Sequence, residues 1–475
     1  MSKALANMSI FAVALVINKS ISLLMLPVLP HFLSPTQMGT LELLMSFGFV
    51  AALCVGLALH EVMYRFVGVR KTPRTRHHSL SQIYSLSVLI SFSVVLLLVI
   101  TLFSVAVPAP FRTIELLMLI LSVGLEGAIA IGTAWLRMQN DKARTLLNIM
   151  VTTTVMQVSC ILILLSYSPD ISSVIAAGLF ANLTQFIWLK RINRYRFILP
   201  KPQKIKLYLR YSMPLMLSAI LAFCLNGAER WFIGTTDLAT LGVYAIAAKF
   251  SLGMCILVQP FGMWWMPRRF AYLESKPITE TTNITHLGII YVAALSVVVA
   301  GLAFIVISLL LPYEYQDALL YVFFLLPIAM LKEWNELLNV AILYKQNTRW
   351  LLGINIISAS VALSLLFGLP HLGIFGIFIA LYLAQCCKTV LTYAAGQLCM
   401  PLPFNLNLLV VLHMLSGAAL FMIYAAQAIS ATLVVMVMFV SLFMCIAWRY
   451  LPASTRDTIE LQVGKWQHRV KRVWL

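Results

Sequence analysis

The sequence predicts an all-α polytopic membrane protein of about fourteen transmembrane helices, built as two pseudo-symmetric six-helix lobes with two further C-terminal helices. Three observations predict it. Of the 475 residues, 61% are hydrophobic and 11% charged, and the mean hydropathy is +0.93, a balance foreign to a soluble chain of this length. The apolar runs have the length of a helix crossing a hydrocarbon core of about 30 Å, not that of alternating barrel strands of about ten residues. The two halves of the chain also echo each other at a nearly constant offset.

Taken in order, the apolar runs place predicted spans at 8–31, 40–63, 82–108, 114–136, 145–166, 171–189, 212–234, 239–263, 286–311, 318–343, 351–369, 373–397, 406–426 and 430–448. The first run lacks a basic leader region and is too long for a signal peptide. Basic residues fall in alternate loops: Arg65 to Arg76 after span 2, Arg137 to Arg144 after span 4, Lys190 to Arg210 after span 6, Arg268 to Lys276 after span 8, and Lys345 and Arg349 after span 10. The intervening loops carry essentially Arg112 alone. This asymmetry predicts both termini in the cytoplasm. It also accounts for the net charge of +18 without nucleic acid as a partner. Domain boundaries follow: 1–189 as an N-lobe of six spans, 190–210 as a basic cytoplasmic linker, 211–398 as a C-lobe of six spans, 399–450 as the last two spans, and 451–475 as a tail. In that tail Ile459, Val463, Trp466, Val470 and Trp474 recur at helical spacing among basic residues, as in an interfacial amphipathic helix or a plain basic tail. The eight cysteines have no metal-site spacing and read as packing residues.

The organising stretch is 208–270. Its TTDLATLGVYAIAAKF, running on to MPRRF, echoes LSPTQMGTLELLMSF running on to MYRF, with Gly39 on Gly242, Phe47 on Phe250 and Arg65 on Arg268 at one offset. A second match sets Gln139-Asn140 on Gln346-Asn347 at nearly the same offset, and superposes Glu126 in span 4 on Glu333 in span 10. Parallel six-helix repeats place substrate and ion sites at their interface.

A charge at membrane depth costs roughly 2.5–3.5 kcal/mol on insertion scales and marks a pathway unless it is paired or at an interface. The cationic candidates for substrate binding are Lys19, Arg230, Lys249 and Lys388; Arg230 reads equally as an interface anchor. Fixed cations at depth suit an anionic head group such as a diphosphate. The candidates for ion coupling or polar cavity lining are Glu126, Lys332, Glu333 and Glu336, with Asn339 extending the stripe. Lys332 and Glu336, at i and i+4, read equally as a mutual pair that lowers the insertion cost. Adjacent Glu229 and Arg230 leave a helix about 100° apart, so they are less obviously a mutual pair than their adjacency suggests. Pro27, Pro214 and Pro260 lie inside or at the ends of spans 1, 7 and 8 and predict kinks. No Walker A, HExxH or GxSxG pattern and no catalytic dyad is present, so neither an enzyme nor a bound cofactor or metal is expected.

The opening ISLLMLPVLPHFLSPTQMGTLELLMSF, together with MPLMLSAILAFCLNGAERWFIG, LGVYAIAAKF and WWMPRRF, resembles the polysaccharide-biosynthesis transporters. These are the Wzx-like oligosaccharide flippases of the multidrug/oligosaccharidyl-lipid/polysaccharide exporter superfamily. The resemblance covers most of 1–400, and Glu229-Arg230 fills the place of an acidic residue followed by Arg near the end of helix 7. It implies two six-helix lobes around a V-shaped cavity that opens alternately to either side. It also implies an undecaprenyl-diphosphate-linked oligosaccharide as substrate, turned across a bacterial inner membrane, with membrane lipid and polysaccharide polymerase machinery as partners. Spans 13 and 14 resemble the extra pair of the fourteen-helix members. The alternative is a cation-coupled multidrug exporter of the same superfamily. A membrane glycosyl polymerase or ligase ranks behind both, because the short outer loops leave no room to hold an acceptor.

Overall fold

The computed structural model describes residues 21 and 23–451, apart from 69–71, 108, 140–141, 267 and 427. Most of predicted span 1, with Lys19, and the amphipathic tail lie outside the described residues. Among those described, thirteen helical stretches are long and apolar enough to cross a membrane, one for each remaining predicted span. They form two compact units. The first ends at Ile246 and also takes in Pro312–Tyr315; the second comprises Ala247–Leu311 and the chain from Gln316.

The first unit contains α1 (Pro35–Gly56), α2 (Leu59–Gly68), α3 (Pro73–Ser104), α4 (Thr113–Arg137), α5 (Ala143–Tyr167), α6 (Ile171–Asn193), α7 (Pro202–Asn226), α8 (Glu229–Thr236) and the first turns of α9 (Leu238–Trp265). Local chemistry sets the starts. Ser34 and Gln37 form a reciprocal capping box around α1, with Pro35 in the first turn where its missing N–H is not needed. Asp237 caps α9, accepting from the backbone N–H groups of Ala239 at 3.1 Å and Thr240 at 2.8 Å. Arg112, the lone basic residue of its loop class, forms an ion pair with Asp170 at the start of α6.

Two predicted spans are broken. Span 2 divides at Leu57 and Ala58, both left-handed at φ 45° and 47°, which costs about 1–2 kcal/mol per residue. The break turns Leu59, Val62, Met63 and Val67 of α2 into a fully buried cluster with Leu80 and Ile83 of α3 and Ile131 of α4. Span 7 divides at Gly227, where a Cβ would lie 2.5 Å from the Phe223 ring. Of the basic segment 190–210, the first residues finish α6 and the residues from Pro202 open α7. The part between is tied to α3: Ser81 Oγ accepts from Arg196 N at 3.3 Å, and Ser85 Oγ from Ile198 N at 2.8 Å. Lys204 Nζ donates to Gln82 Oε1 at 3.0 Å. Tyr195 stacks on Tyr84 with centroids 4.0 Å apart, and burial pushes its phenol well above the ordinary pKa, so it stays neutral.

The repeat shows directly in the first unit. A Cβ on Gly39 would lie 1.8 Å from Leu238 O, and one on Gly242 would lie 1.9 Å from Pro35 O. The two contacts are reciprocal, since Pro35 and Leu238 stand at the same offset as Gly39 and Gly242. Only glycine lets α1 and α9 approach this closely, the small-residue device by which membrane helices pack without a hydrophobic driving force.

The second unit contains the rest of α9, α10 (Arg269–Ser275), α11 (Ile278–Leu310), α12 (Ala318–Leu338), α13 (Val340–Tyr344), α14 (Thr348–Gly368), α15 (Gly373–Cys399), α16 (Leu406–Ala426) and α17 (Ile429–Trp448). α11 lies against α12 and against the added pair α16 and α17, while α15 packs on α12 and α14. Trp334 of α12 is 1% exposed and donates its indole N–H to Ile289 O of α11 at 3.1 Å, so the largest ring in this interface has no unmet donor. Pro214 and Pro260 lie inside α7 and α9, and Pro327, which the sequence reading missed, lies inside α12. Pro27 lies in a turn rather than inside a helix.

Candidate functional site

Arg230 is the centre of the most tightly connected charge cluster in the first unit. Its Nε donates to Glu42 Oε1 of α1 at 2.7 Å, and its NH1 to Glu229 Oε1 at 2.9 Å. The hydroxyl of Tyr244, on α9, donates to the same Glu229 oxygen at 2.9 Å. The break at Gly227 starts a new helix at Glu229, and from its first turn the long Arg230 side chain reaches back to its neighbour. The adjacent residues are thus a mutual pair, although their directions on a continuous helix made that less obvious. Glu229 is 2% exposed. The side chains of Arg230 and Glu42 keep 21% exposure each. Beside the cluster, Trp231 stacks on Phe47 with centroids 5.2 Å apart and donates its indole N–H to Ser46 Oγ at 2.9 Å.

Such an arrangement can hold a guanidinium at membrane depth because two carboxylates neutralise it; among the described residues the cluster carries one excess negative charge. Arg230 is therefore committed to acidic partners, and an anionic ligand would have to displace a carboxylate to reach it. Glu42 was missed in the sequence because it stands at the start of predicted span 40–63; the start of α1 at Pro35 puts it about two turns inside the helix. Tyr244 carried no signal, since an aromatic in a membrane helix is ordinary.

Glu126, on α4, accepts from Asn182 Nδ2 of α6 at 3.2 Å, and the same amide donates to Ser122 Oγ at 2.8 Å. Its carboxylate is thus held by a neutral donor rather than a cation. The remaining candidates belong to the second unit. Lys249 lies half-buried in α9. Glu333 of α12 lies within electrostatic range of the Cys255 thiol of α9. Glu336 accepts from Asn339 Nδ2 at 3.2 Å, and Asn339 Oδ1 in turn accepts from Arg269 NH1 at 3.0 Å. Lys388, half-buried in α15, lies within electrostatic range of Glu336 and Lys332. Buried Asn335 donates to Gln385 Oε1 at 3.4 Å, which ties the same faces of α12 and α15 together. Lys332, Glu333, Glu336 and Lys388 are thus brought to one α12–α15 region, with Arg269 as an additional cation. No group of three or more metal-ligating side chains occurs among the described residues.

Residues 28–260 match the family model described as polysaccharide biosynthesis protein. No curated protein matches the chain by sequence at a significant level. Among solved structures, the fold is similar to a lipid II flippase in an inward closed conformation, with a TM-score of 0.71 at 15% identity, covering 92% of this chain and 98% of that one. It is also similar to an inward-facing multidrug resistance transporter, with a TM-score of 0.60 at 14% identity, covering 80% of this chain and 94% of that one. A transporter of the same superfamily from Pyrococcus furiosus matches with a TM-score of 0.52 at 13% identity, covering 82% and 95% respectively. The chain therefore shares its fold with the lipid II flippase and the multidrug resistance transporter, and over residues 28–260 it carries the sequence pattern of the polysaccharide biosynthesis proteins.

Proposed function

We propose that the protein is a flippase that moves undecaprenyl-diphosphate-linked oligosaccharide across a bacterial inner membrane by alternating access, with both termini cytoplasmic. The observation that carries this reading is the polysaccharide biosynthesis match over 28–260. The fold likeness supports it, since the lipid II flippase covers more of this chain than the drug transporter does, 92% against 80%. Lys249 and Lys388, with Arg230 once released from its acids, supply cations at depth for a diphosphate. Glu126, held by the neutral Asn182 amide, and Glu333 are the proposed coupling carboxylates. The two C-terminal helices, packed on α11, give the second unit a surface beyond the twelve-helix plan.

A cation-coupled multidrug exporter is the second reading. One observation favours it: the first-unit cluster carries two carboxylates to one guanidinium, a polarity suited to a cationic cargo. Purified protein in proteoliposomes separates the two. Access of an added glycosidase to flipped lipid-linked sugar is expected for the wild type, and a folded Lys249→Ala/Lys388→Ala variant should lose it. Extrusion of cationic dyes with no movement of glycolipid would replace the flippase reading with the exporter.

A further inference from the structure

Glu229 is bonded on one side only. Oε1 receives both Arg230 NH1 and Tyr244 OH, whereas Oε2 is buried and has no hydrogen-bond partner among the described residues. A buried carboxylate oxygen without a donor costs about 1–3 kcal/mol or more, and the ordinary remedy is to bind a proton. The charge count points the same way. Among the described residues Glu42 and Glu229 face one guanidinium, so a single added proton makes this set neutral. Among the described residues, the cluster around Glu229 contains Glu42 from α1, the Asn226 carbonyl at the end of α7, Arg230 beside it on α8, and Tyr244 from α9.

We propose that Glu229, together with Glu42, is a proton site that controls the availability of Arg230. With both carboxylates ionised, they hold the guanidinium. When a proton from water binds Glu229 Oε2, the charge-assisted bond from Arg230 NH1 becomes a weaker neutral one, and Arg230, still protonated, turns to a diphosphate. Loss of that proton restores the clamp and expels the anion. Proton and anionic lipid therefore bind together, and the clamp and the anion exclude each other. The handover to a diphosphate rests on the flippase reading above; the proton site does not.

The full-length chain in detergent supports a test with two readouts. Infrared absorption of protonated carboxyl groups, followed in the ligand-free protein as the pH is lowered, should show a band growing toward acid that Glu229→Gln removes. Binding of undecaprenyl diphosphate, read by tryptophan fluorescence, should tighten toward acid by up to about tenfold per pH unit, the limit for one proton taken up per ligand. Protonation of the diphosphate itself acts in the opposite direction. In Glu229→Gln, binding should be tight and lose this acid-side gain, whereas Arg230→Ala should bind weakly throughout. Where Glu229→Gln fails to fold, Glu229→Asp, which shortens the side chain while keeping the carboxyl, should shift the band and the acid-side gain together. Absence of the band, or an unchanged acid-side gain in the Glu229 variants, overturns the proton site. A band with no binding of undecaprenyl diphosphate at any pH overturns the flippase reading and the handover, and leaves the proton site standing.

Discussion

Replacement of Gly39 by Ala tests the crossing of α1 and α9. The added Cβ would sit 1.8 Å from Leu238 O, where ordinary contact begins at 3.4 Å, so the two backbones must part by about 1.6 Å. Overpacking of this kind costs about 1–3 kcal/mol. Separation also weakens the close Cα–H to carbonyl approaches at Gly39 and Gly242, each worth about 0.5–1 kcal/mol. Because the two glycines meet at one crossing, a helix pair already opened by Gly39→Ala has room for the second methyl of Gly242→Ala. The Gly39→Ala/Gly242→Ala variant should therefore be less destabilised than the sum of the single changes, as expected for coupled neighbours. Thermal unfolding of the purified chain in one detergent reads all four proteins of the cycle. A Gly39→Ala protein as stable as the wild type, or strict additivity in the double variant, would refute the reciprocal contact.

Two further predictions concern charge. Arg230→Ala leaves Glu42 and Glu229 without their cation, and the loss should fall toward the lower end of about 3–5 kcal/mol, because Arg230 and Glu42 are not fully buried. Adding Glu229→Ala should recover part of that loss in the same unfolding assay; a further loss would count against the clamp. At the start of α9, the hydrogen bond from the Thr240 hydroxyl, with support from the Thr240 and Ala239 amides, holds the Asp237 carboxyl below its ordinary pKa. A depressed folded pKa means that its contribution to stability is present above about pH 3.9 and is lost as the pH falls through the lower folded value. Asp237→Asn should flatten that part of the acid side of the stability profile, and an unchanged acid slope would exclude the cap as its source.

Much of the fold is legible in the chain because bilayer thickness dictates helix length and charge cannot remain in hydrocarbon without cause. Thirteen predicted spans correspond to helices for that reason. The repeat was legible through Gly39 and Gly242, and the reciprocal contact gives the physical reason for both glycines. Breaks at Leu57–Ala58 and Gly227 were not legible, since neither interrupts hydropathy; they arise where packing of α2 and the reach of α8 require a change of direction. The hydroxyls of Ser81 and Ser85 looked like incidental polar residues, yet they bind the backbone that follows α6.

For the candidate site, residue type and depth alone identified Arg230, Glu126 and the α12 charges, because the insertion cost depends only on those. Partnership does not. Glu42 lies 188 residues from Arg230 in the chain, and only the folded first unit brings them to 2.7 Å. That contact decides whether Arg230 is an open cation or a held one. Sequence determined that charges stand in the membrane helices; tertiary structure decided which of them neutralise each other, because at low dielectric a few ångströms of approach outweigh everything that composition records.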